Sequence, residues 1–155
     1  MRNFVLIFLF ISLATAGTVS AQFVIVAHKD CAIDSLSRKD LHKLFKGQVI
    51  NAPAAQPLQV VEFEPVSDQF YGQLYGMNSF AVGKHWLRLI FAGERVLPPK
   101  NFSDLQRFVD FLLKQKRGVG FLPLATFKQL KSDSLKALVI ENKSYLQRGY
   151  RLEHD

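Results

Sequence analysis

The junction between a predicted strand and a predicted helix holds the first candidate for chemistry, Ser67. Residues 58–63 are mostly β-branched or bulky and lie between Pro57 and Pro65, which predicts a short buried strand. From Ser67 onward apolar side chains recur at helical spacing, and this serine can cap the first free N–H groups of the helix. Such a turn aims N–H donors and the positive end of the helix dipole at one point. Two interpretations stay open: Ser67 is only a helix cap, or the turn also holds an anion or carboxylate.

The other residues that could do chemistry form weaker patterns. Glu62 and Glu64 lie two apart on the predicted strand and share a face, but a solvent-facing or strand-end pair explains them better than acid–base catalysis. The histidines are scattered, and none has a second metal ligand at helical spacing. Cys31 is the only cysteine, and a structural role suits it better than a catalytic one. We therefore predict no enzyme, no metal site and no cofactor.

The first 21 residues have the layout of a secretory signal. Arg2 supplies the positive start, residues 4–13 are almost wholly apolar, and residues 19–21 (VSA) match a small-x-small cleavage pattern. We expect cleavage after Ala21, which leaves a mature periplasmic chain with no membrane span. An uncleaved anchor is the alternative, and the shortness of the apolar run disfavours it.

The chain is basic, with a formal net charge of +7 over 155 residues. Its length suits one domain with a sizeable core. The basic residues come in pairs at most, such as Arg38 and Lys39, and form no aromatic-interleaved stripe, so nucleic acid is not an expected partner. An exported basic protein more plausibly meets anionic headgroups, wall polymers or small oxyanions.

Strands and helices alternate along the rest of the chain. Strands are predicted at 23–27, 58–63, 118–122 and 135–140, with Glu94 to Asn101 as an extended connection. Helices are predicted from Ser37 to a stop at Gly47, from Ser67, over 79–92, from a Ser103–Gln106 capping box, and after Pro123. This order argues for an α/β domain over residues 22–141, with helices packed on a mostly buried sheet. Residues 142–155 are expected to form a polar tail that frays.

Four segments carry a further pattern: LSRKDLHKLFKG at 36–47, PLQVVEFEPVSDQFYGQL at 57–74, KHWLRLIFAGERVLPP at 84–99 and VDFLLKQKRGVGFLP at 109–123. In order and spacing they resemble the periplasmic phosphate-binding proteins of ABC transporters. That family has a helix ending in Phe-x-Gly, a strand leading into a phosphate-binding turn, a Trp-containing helix and a Gly-x-Gly-type strand. The resemblance covers about residues 36–124. It implies an α/β sandwich like one lobe of a type II periplasmic-binding protein, with helices on a mixed sheet.

The phosphate turn is where the chain departs from that family. The family's turn is similar to Ser-Asp-Gly-Ser-Gly-Thr, and the segment EPVSDQ at 64–69 retains only Ser67. The resemblance therefore implies an exported phosphate- or oxyanion-binding-like protein with a degenerate site. The expected ligand-binding residues are Ser67, the N–H groups of Asp68, Gln69 and Phe70, and Arg88 or Arg95. The alternative is a non-catalytic envelope module that has lost solute binding and contacts an envelope or transporter protein through the surface that a second lobe covers.

Overall fold

The structure is a computed structural model that describes residues 22–50 and 56–153. The predicted signal peptide, residues 51–55 of the predicted loop and His154 lie outside this range. The strands are β1 (Phe23–His28), β2 (Ser35–Leu36), β3 (Gln59–Phe63), β4 (Lys100–Phe102), β5 (Gly118–Pro123), β6 (Leu135–Ala137) and β7 (Val139–Ile140). The helices are α1 (Arg38–Leu44), α2 (Ser67–Tyr75), α3 (Ser79–Phe91), α4 (Leu105–Lys114) and α5 (Leu124–Leu130), and a 3₁₀ turn (Glu64–Val66) precedes α2.

Five of these strands form one mixed sheet in the order β4-β3-β5-β1-β6. β3 runs parallel to both β4 and β5, whereas β1 is antiparallel to β5 and β6. β1 and the first five residues of β5 are buried along their length, as expected for strands covered on both faces. The predicted α/β class with helices packed on a mixed sheet is confirmed.

An aromatic cluster joins the helices to the middle of this sheet. The rings of Phe70 on α2 and Phe121 on β5 stack with centroids 3.7 Å apart and planes 5° apart. Phe23 on β1 and Phe45 at the end of α1 pack against Phe70 at 5.5 and 5.1 Å. All four rings are essentially inaccessible to solvent. Buried aromatic pairs of this kind add about 0.5–1.5 kcal/mol each beyond the area they bury.

The start and end of α1 follow the sequence closely. Ser37 caps the helix by accepting a hydrogen bond from the Asp40 N–H at 3.0 Å, as predicted. Gly47 has φ +70°, and a Cβ there would lie 2.6 Å from the six-membered ring of Trp86. A glycine is therefore needed at this position both for its backbone angle and for the space that Trp86 fills.

Two predictions about elements are wrong, and a third element gains a strand that was not predicted. The cap of α4 is Asp104, whose Oδ1 accepts from the Arg107 N–H, and not Ser103. The stretch 135–140 is two strands, because Leu138 turns into the core and β7 pairs in parallel with β2 in a separate two-stranded sheet. The extended connection ends in β4, which adds an edge strand beside β3.

The segment after Asn142 also differs from its prediction. Tyr150 and Leu152 are buried in the core, and the Leu152 carbonyl lies 2.9 Å from His42 Nε2. The segment therefore does not fray through Glu153, because two apolar side chains in a mostly polar stretch are enough to dock it. Within the described residues, no helix is long and apolar enough to cross a membrane.

The packing of β5 against β3 makes a testable prediction at Gly120. A Cβ at this position would lie 2.8 Å from the Val61 carbonyl oxygen and 2.7 Å from the Phe108 ring, so Gly120→Ala forces a backbone shift. We expect it to lower the free energy of unfolding by about 1–3 kcal/mol, measured by urea denaturation.

Gly72→Ala is the matched control, since a Cβ at this α2 position meets nothing within 4 Å. It should raise the free energy of unfolding by about 0.5–1 kcal/mol, because alanine is the better helix former. Equal effects of the two substitutions would contradict the register of β3 against β5.

Candidate functional site

The site begins where β3 ends and the chain turns into α2. Pro65 lies inside the 3₁₀ turn, and α2 follows this turn directly in the chain. Ser67 is therefore the first residue of the helix, its N–H donates to the Glu64 carbonyl, and its Oγ donates to the Phe63 carbonyl at 3.1 Å. The prediction that Ser67 caps α2 is wrong: Val66 is at the cap position and makes no side-chain cap bond.

The other predicted donors on α2 have separate surroundings. Asp68 Oδ1 accepts hydrogen bonds from Ser79 Oγ at 2.6 Å and from the Ser79 N–H at 2.8 Å, which ties α2 to the start of α3. These two bonds lower the pKa of Asp68, and the bond from the Ser79 side chain has the larger effect. Gln69 is exposed. Phe70 is buried in the aromatic cluster, and as the fourth residue of α2 it lies past the N–H groups that a helix leaves free.

The two predicted arginines do not meet Ser67. Both Arg88 on α3 and Arg95 after it are exposed. Arg95 lines a different cleft, of about 340 Å³, together with Gly47 and Trp86. Neither of the two arginines that were expected to bind an oxyanion therefore lies at Ser67.

A cleft of about 480 Å³ lies beside Ser67, and we call it the Ser67 cleft. It lies between the end of β3, the 3₁₀ turn and α3. Its lining residues are Glu62, Glu64, Ser67, Ser79, Phe80, Gly83, Trp86, Leu87, Ile90, Pro98, Pro99 and Asn101. This lining of described residues contains two carboxylates and no Lys, Arg or His. The cleft is thus acidic and largely apolar in a chain that is basic as a whole.

Glu62 is the most unusual residue of the cleft. Only 8% of its surface is exposed, and its Oε1 accepts a hydrogen bond from Tyr71 Oη. Among the described residues no group donates to Oε2. Burial raises the pKa of Glu62, the Tyr71 bond opposes this rise, and the nearby Glu64 adds to it. The pKa of Tyr71 is also raised, mainly by burial and then by Glu62, so the shared proton stays on the phenol.

This arrangement was not predicted. Glu62 and Glu64 were expected to be a solvent-facing or strand-end pair, but Glu62 is buried on β3, whereas Glu64 is exposed in the 3₁₀ turn. The available signal was the isolated charge within the apolar run VVEF, since a carboxylate is rarely buried without a partner. The partner, Tyr71, comes nine residues later on another element.

The outer face of α3 continues the cleft with exposed apolar side chains. The exposed fractions of Phe80, Leu87 and Phe91 are 73%, 52% and 86%. Lys84 Nζ lies 5.6 Å from the centroid of the Phe80 ring, a cation–π distance. Ile90 on the same helix is exposed as well. Among the described residues no group of three or more His, Cys, Asp or Glu is placed to hold a metal ion.

Comparison with known proteins identifies solved structures that share the fold of this chain. Neither a family model nor a curated protein matches the chain. The solved structures similar to it include an ABC-type phosphate transport receptor from Vibrio cholerae, with 17% identity and a TM-score of 0.50. They also include a possible phosphate binding protein from Planctomyces limnophilus DSM 3776, with 14% identity and a TM-score of 0.55. A putative phosphate ABC transporter substrate-binding protein from Clostridium perfringens, with bound phosphate, has 11% identity and a TM-score of 0.56.

This likeness shows the fold. The three alignments cover 79–80% of this chain but only 42–48% of the other chains. The chain therefore spans less than half the length of those proteins. Their identity to it is too low to carry over any ligand, and the sequence resemblance to phosphate-binding proteins is confirmed at the level of architecture.

The buried Glu62 makes a prediction about pH and stability. Because its pKa is raised above the ordinary value of 4.5, the folded protein holds a proton that the unfolded chain has already released above that pH. Wild type should lose stability as the pH rises from 4.5 through the folded-state pKa. Glu62→Gln, which has no such proton and can still accept the Tyr71 bond, should lack this loss. Urea denaturation at a series of pH values measures both curves.

Glu94→Gln, at an exposed position after α3, controls for the removal of one carboxylate. The curves of wild type and Glu62→Gln should diverge with rising pH, with the variant the more stable. Parallel curves across the range would contradict the burial of Glu62.

Proposed function

We propose that this chain is an exported, non-catalytic binding protein of the periplasm, built on one lobe of the solute-binding fold, with the Ser67 cleft as its ligand site. The observation that carries this proposal is the position of the cleft. It opens where a strand of the sheet ends and a helix begins, and it combines apolar walls with a few polar groups, as small-molecule sites do. Its volume lies within the range of about 300–1,000 Å³ that is usual for such sites.

The same geometry argues that phosphate is bound weakly. Glu62 and Glu64 line the cleft, Asp68 is bonded to a third lining residue, Ser79, and the predicted arginines lie elsewhere. Two unit charges 4 Å apart interact by about 4 kcal/mol near a protein surface, so these carboxylates repel a phosphate dianion. The site has thus lost the electrostatics of an oxyanion receptor while keeping its fold.

The affinity of the protein for oxyanions tests the proposal that phosphate is bound weakly. We expect isothermal titration of the mature protein with inorganic phosphate and sulfate to give dissociation constants weaker than about 0.1 mM. Ser67→Ala should leave that weak binding unchanged. It should cost about 0.5–1.5 kcal/mol of folding stability, because the Oγ bond to the Phe63 carbonyl is lost.

Ser37→Ala, which removes the cap of α1, is the matched control and should cost a similar amount of stability. Micromolar phosphate binding that Ser67→Ala abolishes, with Ser37→Ala without effect, would establish an oxyanion receptor and overturn the proposal of weak phosphate binding.

The exposed face of α3 favours a second function, contact with another envelope protein that has an apolar surface. Phe80, Leu87 and Phe91 recur at helical spacing and remain exposed, although the sheet and the other helices bury most large apolar residues. Such a face gains free energy when an apolar partner surface covers it.

In-cell photo-cross-linking tests this second function. A photoreactive residue at Phe91 should form an adduct of one defined mass, and Leu87→Ser should reduce that adduct. The same photoreactive residue at Lys39, exposed on α1, is the control. Similar adducts from both positions would show that the α3 face has no partner.

A further inference from the structure

We propose that the Ser67 cleft binds a small organic cation, a protonated amine carried on an apolar body. This inference rests on the proposed function, since it names the class of ligand for the same cleft. It reverses the charge that the fold's resemblance suggests. Three observations lead to it: a buried carboxylate with a free oxygen, the charges around that carboxylate, and the apolar walls.

The carboxylate of Glu62 is oriented by the fold and only half satisfied. Tyr71 Oη donates to Oε1, while Oε2 accepts no bond from the described residues, in a residue that lines the cleft and has only 8% of its surface exposed. A buried charge is costly unless it is paired and hydrogen-bonded. An ammonium group in the cleft would supply both the opposite charge and the missing donor, in a charge-assisted bond of the stronger kind.

The charges around Glu62 favour a cation as well. Glu64 lies at the cleft, and Asp68 lies beside it through its bonds to Ser79. Lys84 is not a lining residue, and its Nζ lies 5.6 Å from the centroid of the Phe80 ring. The local balance among these residues is negative, so the cleft attracts cations within a protein whose overall charge repels them.

The walls of the cleft select a ligand with an apolar body. Phe80 and Trp86 offer aromatic surface, and Leu87, Ile90 and Pro98 add aliphatic surface. Aromatic faces attract ammonium groups. An amine with a ring or short chain therefore places its charge at Glu62 and its body against these walls.

Trp86 is the only tryptophan of the chain and lines both the Ser67 cleft and the Arg95 cleft, so its fluorescence reports binding and the Glu62 variant assigns that binding to the Ser67 cleft. We would titrate the full mature protein at pH 7 with phenethylammonium, with neutral phenethyl alcohol and with anionic phenylacetate, and follow Trp86 fluorescence and heat of binding. These probes share a ring and differ in charge. We expect phenethylammonium to bind at least about tenfold more tightly than the alcohol, and phenylacetate to bind most weakly.

Variants locate the charge that is responsible. Glu62→Gln keeps the shape and the Tyr71 bond and should weaken phenethylammonium binding about tenfold, with little effect on the alcohol. Glu64→Gln, at an exposed position, should weaken it about twofold to threefold. Glu94→Gln is the matched control outside the cleft and should change neither affinity. Circular dichroism and urea denaturation show that each variant is folded before it is titrated.

The outcomes separate the two proposals. If the alcohol or phenylacetate binds as tightly as phenethylammonium, or if Glu62→Gln has no effect, the cation assignment fails while a ligand site in the cleft stands. If none of the probes changes Trp86 fluorescence or produces heat, both proposals fail. An acetylated Leu-Lys-Leu amide stands for a lysine side chain on a partner protein. If it binds more tightly than phenethylammonium, the cation belongs to a protein and the small-solute assignment is overturned.

Discussion

The packing of α2 onto the sheet through two adjacent residues is the constraint on which the rest of the structure depends. Phe70 stacks on Phe121 of β5 within the aromatic cluster, and the hydroxyl of Tyr71, the next residue, donates a hydrogen bond to Glu62 on β3. One contact is apolar and non-directional, and the other is a directed hydrogen bond to a buried charge. Together they set both the distance of α2 from the sheet and its rotation about its own axis.

That placement determines the chemistry of the cleft. Once α2 is seated, the end of β3 and the 3₁₀ turn hold Glu62 and Glu64 at the cleft, and the bonds of Asp68 to Ser79 bring α3 against its other side. The Tyr71 bond offsets part of the cost of burying Glu62 but uses only one carboxylate oxygen. Glu62 therefore helps to hold α2 through one carboxylate oxygen and presents the other oxygen to the cleft as an unpaired acceptor. In the site that we propose, stability and ligand recognition are thus linked through a single side chain.

The architecture also explains why charge, and not fold, distinguishes this cleft from an oxyanion site. The chain shares its fold with the phosphate receptor and the two phosphate-binding proteins described above, but it spans less than half of their length. Within the described residues, the cleft is lined by two carboxylates and by no Lys, Arg or His, and this charge opposes an anion. The apolar part of the lining favours an apolar ligand body whatever the charge of the cleft, since burial of apolar surface does not depend on charge.

The sequence by itself determined those features that depend on neighbours within a few residues. The cap and stop of α1 at Ser37 and Gly47, the apolar runs of β1, β3 and β5, and the alternation that defines the α/β class could all be predicted, because capping and periodicity are local. Only the tertiary structure decided which polar groups are buried and which of them meet. Glu62 is buried because Tyr71 reaches it from another element, and Leu152 is docked by the core and His42, 110 residues away. Such outcomes depend on contacts between distant segments, whose pairing no local pattern encodes.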